Sequence, residues 1–182
     1  MNSLKISNNM IKALLVLGLI VTAVSFRLMP HPPNFAPIAA IAIFGGAILP
    51  RKWALILPLT AMIASDLVLG LHSLVWFTWG SFLLIALLSS KYMNKINTVS
   101  VAGASFGASF LFFLVTNFGV WLEGRLYPPT FDGLLGSYIN AIPFFRNTLL
   151  SDVVFSAMLF GAYVLVYRYA LNRRDSLKLT TA

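Results

Sequence analysis

Three polar side chains stand out within the apolar stretches of the chain: Asp66, Asn117 and Asp152. An ionisable residue at the centre of a membrane helix costs roughly 2.5–3.5 kcal/mol on insertion scales, so each one calls for a partner, a cavity or a role. Both aspartates follow a serine, as Ser65-Asp66 and Ser151-Asp152. Two carboxylates set face to face can share a proton and do acid–base work, but neither pair lies in a glycine-rich setting that would bring backbones close. His31 and His72 fall on turns and could ligate a metal, yet no carboxylate stands at a fixed spacing from either. Neither is on a helix beside a serine, which removes a serine triad. Cysteine is absent, so disulfides, thiolate metal sites and thiol nucleophiles are excluded. These residues point to binding rather than catalysis, with no catalytic residue, metal or cofactor expected.

The elements that must carry them are membrane helices. Of 182 residues, 59% are hydrophobic and 10% charged, where a soluble domain has roughly 25% charged residues. Apolar runs predict transmembrane helices near 11–28, 36–49, 53–69, 74–90, 99–121 and 147–170, a single all-α, polytopic membrane domain over 1–182 with about six crossings. The run at 11–28 follows Lys5 and has Lys12 at its start, but has no small-x-small cleavage site after it, and is read as a retained helix. Pro30, Pro32, Pro33, Pro50 and Gly70 mark tight connections. The exception is an external link over 122–146, with a possible interfacial helix inside 131–142. A polar tail over 172–182 is expected to be mobile.

The net charge of +8 is spread between and beyond the apolar runs rather than gathered in one patch, so it reads as a topology signal and not as a nucleic-acid surface. An inside N-terminus puts Lys5, Lys12, Arg51, Lys52, Lys91, Lys95, Arg168, Arg173, Arg174 and Lys178 in the cytoplasm and leaves Arg27, Arg125 and Arg146 outside. That bias predicts a membrane protein with both termini cytoplasmic. It also sets Asp66, Asn117 and Asp152 in the outer half, on the floor of an outward pocket roofed by loops carrying His31, Asn34, His72 and Tyr127. Arg146 joins the polar set, and Trp76, Trp79, Trp121 and Tyr127 are candidate aromatic walls. The plainer alternatives are that Asp66 bonds to nearby backbone and that Asp152 pairs with Arg146 or Arg125. Gly103 and Gly107, with Ala104 and Ala108 beside them, make a small helix face suited to internal packing or to a partner helix.

The run Met29-Pro30-His31-Pro32-Pro33-Asn34-Phe35-Ala36-Pro37, followed by Pro50-Arg51-Lys52-Trp53-Ala54, resembles a bacterial family of transport proteins. Ser65-Asp66-Leu67, Thr116-Asn117-Phe118-Gly119-Val120-Trp121 and Pro143-Phe144-Phe145-Arg146-Asn147-Thr148-Leu149 resemble further segments of that family, over residues 27–162. More distantly, the plan is similar to the S components of energy-coupling factor (ECF) transporters, six-helix proteins that bind vitamins. The resemblance implies uptake of a vitamin or similar small organic nutrient through an external pocket, and in that family a scaffold subunit and ATPases as partners. The chain departs from it in two places. Helix 1 has only Gly18 and Thr22 where S components carry an alanine-x-x-x-alanine docking face, and no cysteine is present to meet the cobalt of vitamin B12. A structural or accessory subunit is the rival reading, and a membrane enzyme the third.

Overall fold

In the computed structural model the backbone is described over residues 9–180 and the side chains over 9–167. The expected mobile tail, and Lys5, Arg168, Arg173, Arg174 and Lys178 as topology signals, therefore lie outside the residues whose side chains are described. Among the described residues the chain forms seven helices and no strand: α1 (Asn9–Leu28), α2 (Ile38–Ile48), α3 (Arg51–Leu69), α4 (Val75–Tyr92), α5 (Thr98–Leu122), α6 (Phe131–Ile139) and α7 (Ile142–Thr180). Four of them, α1, α3, α5 and the stretch Ile142–Tyr167 of α7, are long and apolar enough to cross a bilayer. The protein is a helical membrane bundle.

Counting long apolar helices thus gives four spans, not six. The difference lies in α2 and α4. With 11 residues, α2 is about 16 Å long and falls short of a hydrocarbon core of about 30 Å. The 18 residues of α4 open with Trp76, Thr78, Trp79 and Ser81, which dilute its apolar character. Pro37 and Pro50 bracket α2 and set its limits, since neither has an N–H to extend a helix through it. At α7 the start moves back to Ile142, because Pro143 sits in the first turn, where a missing N–H has no intrahelical partner to lose. Helix α6 stops at Ile139, short of the 131–142 expected, and Thr130 caps its start by accepting from the Gly133 N–H at 3.1 Å.

Side-chain contacts fix the direction of each helix. Arg27 near the end of α1 meets Asp66 near the end of α3, so those two helices run parallel and the chain between them must travel back. It does so through residues 29–37 and α2. Gly46 near the end of α2 packs on Ala86, Ser89 and Ser90 near the end of α4. Phe44 packs edge-on against Phe160 at 5.2 Å, well along α7. Helices α2, α4 and α7 therefore share one direction and α1, α3 and α5 the other, so the chain passes six times between two ends of the bundle. One end, here the loop end, carries residues 29–37, 70–74 and 123–141; the other, the turn end, carries 49–50 and 93–97.

The core is built around α2. Residues Ile38 to Gly46 and Ile48 are all buried, enclosed by α3, α4, α5 and α7. Leu57 and Met62 of α3 and Ile85 and Ala86 of α4 fill the space around it. A short helix apolar on every side belongs in the middle of a bundle, and here it leaves the loop end to the irregular backbone of residues 29–37.

Candidate functional site

The two buried aspartates have different surroundings. Asp66, in the last turn of α3, is 1% exposed. Arg27 Nη2 donates to its Oδ1, and Trp79 Nε1 donates to its Oδ2 at 2.7 Å. Arg27 Nη1 turns to the sulfur of Met62. Both carboxylate oxygens are thus taken by groups from α1 and α4, and Asp66 works as a clamp joining three helices. Its charge is matched inside the fold.

Asp152, on α7, is equally buried but has no cation beside it among the described residues. Its Oδ2 accepts a hydrogen bond from Ser109 Oγ of α5 at 2.6 Å, and Asp152 lines a cavity of about 390 Å³ at the loop end. Arg27, His31, Asn34 and His72 line the same cavity, with Phe82, Phe112, Met62 and Ile38 as apolar wall. A second cavity of about 350 Å³ adjoins it, lined by Asn117, Tyr127, Ser137, Asn140 and Phe145 among others. Asn34, Thr78, Phe112 and Thr148 border both.

Local structure explains how the walls are held. Asn34 adopts φ +61, a left-handed conformation that asparagine tolerates better than most residues, and so turns the proline-rich segment 29–37 across the cavities. Asn147 Nδ2 donates to Pro33 O at 3.0 Å, and Ser151 Oγ donates to Ala36 O at 3.0 Å, pinning that segment to α7. Trp121 Nε1 donates to Pro128 O at 3.2 Å and Thr130 O at 3.1 Å, fastening the turn before α6.

Of the residues singled out from sequence, His31, Asn34, His72 and Asp152 come together at the first cavity, and Asn34, Asn117 and Tyr127 at the second. Asp66 and Trp79 stand behind the wall as the clamp. Arg146 and Trp76 are exposed and line neither cavity. Trp121 is a loop fastener rather than a pocket wall. The pairing expected for Asp152 is replaced: Arg125 lies 3.1 Å from Glu123 instead. Sequence reasoning missed Arg27, Thr78, Phe82, Phe112 and Thr148 as lining residues. Thr148 had a signal, standing four residues before Asp152 and therefore on the same helix face.

A family model matches the chain over residues 7–174, a stretch that includes every residue lining both cavities. The chain belongs to the family of unknown function DUF6580. Comparison with curated proteins and with solved structures gives no match. In this DUF6580 chain the two aspartates have separate partners, so the geometry does not set them up to share a proton. Among the described residues no group of three or more histidines or carboxylates gathers in a metal-binding cluster. What the arrangement offers chemically is recognition: a mostly apolar hollow with a few fixed polar groups at one end of a membrane bundle.

Proposed function

We propose that this protein is a substrate-binding transport protein of a bacterial inner membrane, S-component-like in plan, that takes up a vitamin or similar small organic nutrient through an outward-facing pocket without chemistry of its own. The observation that carries the reading is the loop-end cavity of about 390 Å³ into which Arg27, His31, Asn34, His72 and Asp152 converge. Charged and polar groups at membrane depth are expensive, and a cavity that gathers them is a functional site by default.

The six passes support six crossings. In α2 the pass combines a short helix with the irregular backbone of 29–37, and such backbone is tolerated at membrane depth where protein buries it or where it lines a cavity. Transporters commonly build substrate sites at interrupted helices of this kind. Charge supports the orientation. Lys12, Arg51, Lys52, Lys91 and Lys95 belong to the turn end, whereas at the loop end Arg27 is matched by Asp66 and Arg125 by Glu123, leaving Arg146. A turn end rich in uncompensated lysine and arginine suits the cytoplasm.

Purified protein in nanodiscs, screened against vitamins and related small nutrients by thermal unfolding, tests the reading. A true ligand at 100 times its Kd adds roughly 2.7 kcal/mol, a rise in Tm of about 5–10 °C for a chain of this size. No shift with any compound would contradict it.

One observation favours a second reading, an accessory subunit of a membrane complex. Gly103 and Gly107 would each meet nothing within 4 Å if given a Cβ, and Gly107 borders an open groove of about 410 Å³ between α4 and α5. A stoichiometric partner co-purified in mild detergent, with no ligand-dependent shift, would favour it over ligand uptake.

A further inference from the structure

We infer that the ligand of the loop-end cavity is a small organic cation bearing N–H donors, its charge held by Asp152 against the Phe82–Phe112 pair. The inference rests on the reading of this cavity as a binding site and names the class of molecule it takes.

The charge inventory of the cavity leads there. Arg27 and Asp66 neutralise one another, and Arg27 Nη1 is already set on Met62. Asp152 is left. It is 1% exposed, and its one side-chain partner among the described residues is the Ser109 hydroxyl, 2.6 Å away, which carries no countercharge. A buried carboxylate with no cation beside it among the described residues, on the wall of a cavity, is complementary to a ligand that brings the cation. The same chain shows the contrast: where a buried aspartate is structural, at position 66, an arginine and a tryptophan fill both its oxygens.

Two further features point to the same ligand. Phe82 and Phe112 stack with ring centroids 5.0 Å apart and both line the cavity with Asp152. Aromatic faces attract cations, most strongly where water is excluded. The hydroxyls of Thr78 and Thr148, also on the lining, donate their protons to the helix carbonyls of Val75 and Phe144 at 3.0 Å each. They turn only lone pairs to the cavity and so act there as acceptors. A carboxylate, two acceptor hydroxyls and aromatic faces describe a site for a protonated amine or amidine of modest size. An anion would meet Asp152 directly, while Arg27 is already held by Asp66.

Saturation-transfer NMR on the full chain in nanodiscs, with benzylamine, benzyl alcohol and benzoate as probes matched in size, separates the possibilities. The expected result is saturable benzylamine binding at least tenfold tighter than benzyl alcohol, with benzoate weakest. Asp152→Asn keeps the acceptor for Ser109 and should fold normally, yet lose that preference. Thr148→Val, as a second variant, removes one acceptor and should weaken benzylamine several-fold. Equal binding of the alcohol and the amine, or an amine preference untouched by both variants, overturns the cation assignment while the cavity stands as a binding site. No saturable binding of any probe overturns the assignment and the binding-site reading together.

Discussion

Asp66→Ala should lower the stability of the bundle by about 3–5 kcal/mol, the usual cost of removing one partner from a buried ion pair. The truncation leaves the Arg27 guanidinium, whose side chain is only 16% exposed, without its counter-ion, and it strips the acceptor from Trp79 Nε1. Three helices lose their common anchor at once. The companion double variant Arg27→Met/Asp66→Leu should recover most of the loss, because the penalty comes from stranding a charge rather than from lacking one. Reversible unfolding of the single and double variants in mixed micelles measures both. A loss under about 1 kcal/mol for Asp66→Ala would show that water reaches the pair and that the clamp is not structural.

Gly46→Leu should be comparably damaging for a steric reason. A Cβ at this position would stand 2.6 Å from Ser89 Cβ, 2.8 Å from Ala86 O and 2.9 Å from Ser90 N, and two of those three atoms are backbone. Nothing there can rotate away, so α2 and α4 must part. Overpacking of this kind costs about 1–3 kcal/mol and more for a side chain as large as leucine. The control is Gly107→Ala, which meets nothing within 4 Å and should stay within about 0.5 kcal/mol of the natural chain. Equal unfolding midpoints for Gly46→Leu and Gly107→Ala would refute the close approach of α2 and α4.

Much of this architecture was legible in the residues. The apolar runs located α1 to α5 to within a few positions, whereas α7 begins five residues before the expected 147 and continues ten past the expected 170; the proline-marked connections fell where the chain reverses. Hydropathy could not tell that α2 is a short central helix, because a helix buried by other helices and one facing lipid are equally apolar. The separate roles of Asp66 and Asp152 were not legible. Asp66 is settled by an arginine 39 residues earlier and Asp152 by a serine 43 residues earlier, pairings that only tertiary packing decides. The aromatic walls went astray for a related reason. Tryptophans near helix ends are set by the membrane interface as often as by a pocket, and here Trp76 is exposed while phenylalanines deeper in α4 and α5 line the cavity.

The central claim is that the cavity opens to the outside of the cell, and the absence of cysteine from the chain makes it directly testable. Single cysteines placed at Thr78, which borders both cavities, and at Lys95, exposed at the turn end, can be exposed to a membrane-impermeant maleimide in spheroplasts. Thr78→Cys is predicted to label in intact spheroplasts and Lys95→Cys only after lysis. Labelling of Lys95→Cys in intact spheroplasts, with Thr78→Cys silent until lysis, would contradict the account.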